Sequence, residues 1–132
     1  MTLLQFSKKK LSLTFAAVGF MGLSYVSCTH EPNIEALPEV CFEKEVLPIF
    51  QTNCAISGCH DATSKEEGYD FSTYESIISK GIEKGNASKS KVYKAMTTTT
   101  GEIMPPSGAL PEAQRQLILV WIEQGAKNTT CP

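Results

Sequence analysis

The 132-residue sequence has no apolar run long enough to cross a bilayer as a helix, which takes about 20 residues. The apolar run at residues 11–26 is shorter and contains Ser12, Thr14 and Ser24. No stretch alternates apolar and polar residues for long enough to indicate a strand, and no internal repeat is present. These absences argue against a membrane-spanning, a β-rich or a repeat protein.

The N-terminus has the pattern of a secretory signal. Three lysines, Lys8–Lys10, are followed by the apolar run, by the small residue Ser27 and by Cys28. We predict that residues 1–27 are a signal peptide and that Cys28 is the acylated cysteine of a bacterial lipoprotein. The protein would then be exported, periplasmic or at the cell surface, and anchored to a membrane by lipid. The alternatives are plain cleavage, which leaves Cys28 as a spare thiol, and a retained membrane anchor.

Removal of the signal peptide leaves an acidic chain. Nine lysine and arginine residues remain against fourteen aspartate and glutamate residues, a formal net charge of −5. A nucleic-acid-binding domain presents a clustered basic surface, so the charge balance argues against that class.

The remaining chain divides into a tether and one domain. Residues 28–40 are polar and contain two prolines, which predicts an extended tether before a domain at residues 41–132. Apolar residues recur at helical spacing in four segments, 42–53, 72–80, 88–96 and 111–124. Pro48 either kinks the first helix or opens a shorter one. We predict an all-α domain with long loops at 54–71 and 97–110.

Two of the helices have predicted ends. Ser72 is placed to cap the second helix, and Gly81 to end it. Pro111 opens the fourth helix and Gly125 closes it. Residues 117–122 of the fourth helix are apolar nearly all round, which indicates a buried helix.

The segment from Cys54 to His60 places two cysteines directly before a histidine. This order suits covalent capture of a c-type haem, because two thiols can add to the vinyl groups while the imidazole binds the iron. The usual motif is C-x-x-C-H, whereas four residues separate the cysteines here. A bulged loop accommodates the longer spacing, with Gly58 supplying permissive backbone.

Few residues can serve as axial iron ligands. After the signal peptide there are two histidines, His30 in the tether and His60, so His60 is the candidate proximal ligand. The two methionines are Met96 and Met104. Met96 lies on the apolar side of a predicted helix, where methionine usually fills the core. Met104 precedes two prolines in a loop that no helix can cross, which favours it as the distal ligand.

Cysteine arithmetic assigns the remaining thiols. If Cys28 takes lipid and Cys54 and Cys59 take haem, Cys41 and Cys131 remain at the two ends of the domain. A disulfide between them would tie these ends together in an oxidising compartment. The rival pairing adds a Cys54–Cys59 disulfide and leaves no site for haem.

Taken together, these motifs resemble a small class I c-type cytochrome, like the cytochrome c domains of bacterial exported lipoproteins. The resemblance rests on the C-x4-C-H run, on Met104-Pro105-Pro106, and on Trp121-Ile122 before Gly125-Ala126, and it covers about residues 41–131. It implies a helical domain wrapped around one haem, with the N- and C-terminal helices packed together. Cys54 and Cys59 would bind the haem covalently, His60 would be the proximal ligand and Met104 the distal ligand.

An iron with both axial positions filled implies an electron carrier and not an enzyme. The partners would be redox proteins, and the acidic chain would suit basic patches on them. Seven residues are candidates for the apolar haem pocket, although simple core packing is the common role of such side chains: Phe42, Phe50, Phe71, Tyr74, Tyr93, Ile118 and Trp121.

Three other functions stay open from the sequence. The first is a haem-free, disulfide-bonded lipoprotein that serves as a binding module. The second is a haem sensor or peroxidase in which Met104 is displaced. The third is a zinc site formed by Cys41, Cys54, Cys59 and His60.

Overall fold

The computed structural model describes residues 33–132, so the predicted signal peptide and Cys28 lie outside the described residues. Within this range no strand occurs, which confirms the predicted all-α class. The α-helices are α1 (Leu47–Asn53), α2 (Tyr74–Ser79), α3 (Lys91–Thr97) and α4 (Glu112–Glu123). Shorter turns are 3₁₀ at Ile34–Ala36 and Glu66–Gly68, and π-helical at Phe42–Val46. No helix in this part of the chain is long and apolar enough to cross a membrane.

Pro48 lies where the first predicted helix changes type. The π-helical turn Phe42–Val46 comes first, and α1 then begins with Pro48 in its first turn. Val46 and Leu47 both have right-handed helical backbone, so the chain passes from the turn into α1 without a break. The side chains of Phe42, Val46 and Phe50 are at most 2% exposed, so this segment faces the core as its apolar spacing predicts.

The terminal helices pack together, as predicted. The Trp121 ring of α4 lies 5.4 Å from Phe42 and 6.2 Å from Phe50, measured between ring centroids. The buried indole N–H of Trp121 donates to the carbonyl oxygen of Lys127 at 2.9 Å. The burial of α4 is one-sided: Ile118, Trp121 and Ile122 are buried, whereas Leu117, Leu119 and Val120 are half-buried. The predicted burial of this helix is therefore complete on one face, and its other apolar side chains pack partly buried against the core.

The two middle helices start later than predicted. Thr73, not Ser72, caps α2: its Oγ1 accepts from the Ser76 N–H at 3.3 Å, and the Ser76 hydroxyl accepts from the Thr73 N–H at 3.1 Å. Ser72 instead donates its N–H to a carboxylate oxygen of Asp70 at 2.9 Å. The third helix begins at Lys91, because the buried residue Ser90 has extended backbone.

A disulfide joins Cys41 to Cys131, with their Cα atoms 6.0 Å apart, as the cysteine arithmetic predicted. Hydrogen bonds extend this junction into the segment predicted as a tether. The amide side chain of Gln124 accepts from the Val40 N–H at 2.9 Å and donates to the Pro38 carbonyl at 3.0 Å. Val40 is buried, so the residues directly before Cys41 are held against the end of α4.

Candidate haem-attachment site

The site begins where α1 ends. The N–H groups of Cys54 and Ala55 both donate to the carbonyl oxygen of Phe50, each at 2.9 Å. These two hydrogen bonds to one carbonyl terminate the helix and turn the chain away from its axis. Since the side chain of Phe50 is fully buried, the first cysteine is fixed directly to the core.

The four residues between the cysteines form an outward bulge. The His60 N–H donates to the Cys54 carbonyl at 3.2 Å, and the Cys59 N–H donates to the Ile56 carbonyl at 3.0 Å. Gly58 has a φ of +83°, a conformation that favours glycine. Ile56 at the bulge is 48% exposed. The loop therefore brings Cys54 and His60 together across the two additional residues.

Both cysteines of this loop are free thiols, and both are half-buried. Burial raises the pKa of the Cys54 thiol to about 11, and the neighbouring Cys59 adds to the effect. Cys54 also packs against the hydrophobic core. The pair is thus not the disulfide that the haem-free alternative requires.

The ring of His60 is held from one side. Its Nδ1 lies 3.1 Å from the carbonyl oxygen of Glu66, and because a carbonyl only accepts, Nδ1 carries the proton. In the neutral ring of this tautomer, Nε2 is the nitrogen with the lone pair that can bind a metal. The Phe71 ring lies 4.9 Å and the Tyr69 ring 5.9 Å from the imidazole, and both approach it edge-on.

The loop after His60 is braced by two carboxylates. Asp61 accepts from the backbone N–H of Ser64, and Asp70 accepts from that of Ser72. These hydrogen bonds lower the pKa of both carboxyl groups. The Phe71 N–H donates a hydrogen bond to the His60 carbonyl at 2.9 Å, which joins the two ends of the loop.

The two methionines lie in different environments. Met96 is 2% exposed and belongs to the hydrophobic core. Met104 is half-buried on the loop after α3, where its N–H donates to the Ala95 carbonyl at 2.9 Å. The structure thus brings Cys54, Cys59 and His60 onto one loop and places Met104 on another. Within residues 33–132, no hydrogen bond connects Met104 to His60.

Most of the predicted pocket residues form the core itself. Phe42, Phe50, Ile118 and Trp121 are at most 2% exposed. Phe71 differs, because its ring contacts both Phe50, at 5.4 Å, and the imidazole of His60. Tyr74 and Tyr93 are half-buried, and burial raises the pKa of Tyr93. Among the candidates, Phe71 therefore has direct contact with a site residue.

Sequence reasoning missed Ser90, the one buried polar residue in the described part of the chain. Its hydroxyl accepts from the Glu83 N–H at 2.8 Å and donates to the Asn86 carbonyl at 2.9 Å. These bonds fix the turn between α2 and α3. A serine directly before the helix is an N-cap signal that could have identified this position.

The donor set fits haem c better than it fits zinc. Two free thiols and an imidazole with a free Nε2 are the groups that covalent haem attachment needs, and half-buried Met104 offers a thioether. The zinc alternative loses Cys41 to the disulfide. In residues 33–132, no three His, Cys, Asp or Glu side chains cluster closely enough to hold a metal ion.

Comparison with known protein families gives a match to part of the chain. Residues 57–108, less than half of the chain, match a family described as planctomycete cytochrome C. The matched region includes Cys59, His60 and Met104 and begins after Cys54. No curated protein and no solved structure matches the chain. The match supports a cytochrome c-like domain, which suggests a role in haem binding and electron transfer.

Proposed function

We propose that this chain is an exported electron-transfer protein with one covalently bound haem c. Cys54 and Cys59 form the two thioethers, His60 is the proximal iron ligand and Met104 the distal ligand. The observation that carries the proposal is the loop geometry: two free thiols are drawn next to an imidazole whose Nδ1 is already bonded to the Glu66 carbonyl.

Each residue of the loop has a defined task. The thiols of Cys54 and Cys59 would hold the haem, each by adding across one vinyl group with its proton going to the other vinyl carbon. The Glu66 carbonyl accepts from Nδ1–H and thereby orients the imidazole with Nε2 as the nitrogen left for metal binding. When bound, haem supplies an iron that takes up and releases one electron.

The distal side determines whether the protein carries electrons or reacts with ligands. Methionine is a neutral, soft ligand that raises the reduction potential in cytochromes c. A Met104 thioether bound to the iron would exclude oxygen and peroxide from it, which favours electron transfer over catalysis. The Pro105-Pro106 pair after Met104 stiffens the loop that presents the thioether.

The test is expression with a cytochrome c maturation system, followed by haem staining of a denaturing gel and optical spectra of both oxidation states. We expect covalently retained haem and a reversible change of spectrum on reduction. Met104→Ala should keep the haem and lose the methionine–iron charge-transfer band.

Met96→Ala is the matched control for the distal ligand. It should keep the charge-transfer band and lower the free energy of unfolding by about 2–5 kcal/mol, because it opens a cavity in the core. An unchanged spectrum in Met104→Ala would remove Met104 from the proposal. Carbon monoxide binding by the unmodified, reduced protein would favour a sensor or peroxidase instead.

A further inference from the structure

The lysines of the domain are concentrated in one segment. Residues 80–94 contain Lys80, Lys84, Lys89, Lys91 and Lys94 and a single carboxylate, Glu83. All five lysines are exposed. The two ion pairs in residues 33–132 involve Lys65 and Lys127, so none of the five is neutralised in this way. This segment is therefore strongly positive within an acidic chain.

Three of these lysines surround one surface concavity of about 240 Å³. Lys80, Lys89 and Lys91 line it together with Tyr69 and Glu83. We call this concavity, together with the five lysines of residues 80–94, the lysine surface. It brings together residues from both sides of the turn between α2 and α3, the turn that the buried Ser90 hydroxyl fixes.

The shape of the lysine surface depends on Gly81, which has a φ of +83°. A Cβ atom at this position would lie 2.8 Å from Cε1 of Tyr69 and 3.0 Å from Cγ2 of Val92. Both distances are shorter than ordinary van der Waals contact. The Val92 N–H also donates to the Gly81 carbonyl at 3.1 Å. A larger residue at position 81 would therefore displace Tyr69 or Val92, so the shape of the concavity requires glycine there.

Tyr69 connects the lysine surface to the attachment loop. The Lys80 ammonium lies 4.4 Å from the centroid of the Tyr69 ring, within cation–π range. The same Tyr69 ring also contacts the imidazole of His60, at 5.9 Å between centroids. A molecule bound at the lysine surface therefore lies one aromatic ring from the candidate proximal ligand.

We propose that the lysine surface docks a carboxylate-rich surface of a redox partner protein. Opposite charges steer such an encounter, and the acidic remainder of the chain repels the same partner from other faces. The net charge of the chain suggested basic partners; the charge beside the attachment loop indicates acidic ones. The identity of the partner as a redox protein rests on the proposed function, whereas the binding surface does not.

The test is NMR mapping of the ¹⁵N-labelled protein, as obtained from the haem-maturation system, with a hexaglutamate peptide, with hexaglutamine as the uncharged control. We expect chemical-shift changes centred on residues 80–94 and Tyr69, and affinity that falls as salt rises. Lys89→Glu with Lys91→Glu should weaken binding by about tenfold, since two attractive charges become repulsive.

The matched control is Lys44→Glu with Lys127→Glu, which gives the same net charge with exposed lysines elsewhere. It should change the affinity by less than about threefold. Equal weakening by both double variants, or shifts spread over other faces, would overturn the proposal. Tighter binding of inorganic phosphate than of the peptide at this surface would also overturn it, in favour of a small-anion site.

The readout needs no electron transfer, so the two proposals fail separately. Haem retained without localised peptide binding would reject the docking surface and leave the proposed function standing. Localised binding by a chain that retains no haem would reject the proposed function and leave the docking surface standing.

Discussion

The end of the domain where the terminal helices meet and the side that carries the two long loops are built differently. Around Trp121 the aromatic side chains are buried and a disulfide closes the junction. Around His60 the reactive side chains are half-buried, and backbone hydrogen bonds and turns hold them. The first region supplies rigidity, and the second holds two thiols and an imidazole, all half-buried, on one loop. Phe50 and Phe71, whose rings lie 5.4 Å apart, connect the two.

The largest expected effect breaks that connection. Phe50→Ala should lower the free energy of unfolding by about 3–5 kcal/mol, because a fully buried ring leaves a cavity between α1 and α4. It should also loosen the attachment loop, since the Phe50 ring packs against Phe71, whose ring contacts the imidazole of His60. Urea unfolding measures the first effect, and hydrogen exchange of residues 54–60 the second. Unchanged exchange in the loop would show that the two regions are independent.

Removal of the disulfide tests the closed end alone. Cys41→Ser with Cys131→Ser should destabilise the domain by about 2–5 kcal/mol, because the bond closes a loop with a sequence separation of 90. The attachment loop makes no covalent bond to this junction, so haem retention on a denaturing gel should persist. Loss of covalent haem at a temperature where the variant is folded would contradict the separation of the two regions.

The sequence predicted the scaffold better than the details of the loops. Apolar spacing located the buried faces of α1 and α4, because burial and helical period leave a direct trace in the residue order. It placed the α2 cap at Ser72 and not at Thr73, because neighbouring hydroxyl residues offer the same local chemistry. The contacts of Tyr69 and the Nδ1 bond to Glu66 depend on loop turns that have no periodic signal.

A smaller effect is expected on the rate at which the Cys54 thiol is alkylated. At pH 8, a pKa of about 11 in place of 9.0 lowers the reactive thiolate fraction by about 100-fold, and the greater nucleophilicity of a more basic thiolate offsets part of this. In haem-free Cys59→Ser, where burial still acts, iodoacetamide should alkylate Cys54 roughly 10–100 times more slowly than in the same variant unfolded in urea. Equal rates would place Cys54 outside the packed region.

The raised pKa of Cys54 also makes the free energy of unfolding depend on pH. Because the folded state favours the neutral thiol, the contribution of Cys54 is complete below pH 9 and declines as the pH rises towards about 11. Unfolding curves of the haem-free chain at pH 8 and pH 10.5 measure this decline. Cys54→Ala in a Cys59→Ser background should reduce it.

The smallest effect concerns a helix cap on the loop side. Thr73→Ala should cost about 1 kcal/mol, because the Ser76 N–H loses its acceptor at the start of α2. Ser72→Ala is the neighbouring control and should change the stability by less than about 0.5 kcal/mol, since the bond to Asp70 uses the Ser72 backbone. A larger loss of stability in Ser72→Ala than in Thr73→Ala would show that Ser72 caps α2, as predicted from the sequence.

The central claim is that Cys54 and Cys59 together hold one haem. Trypsin cleavage after Lys44 and Lys65 releases residues 45–65, which contain both cysteines and His60. Mass spectrometry of this peptide, from protein matured with the haem-attachment machinery, should find one haem and no remaining thiol. A Cys54–Cys59 disulfide, or a peptide with two free thiols and no haem, would contradict the account.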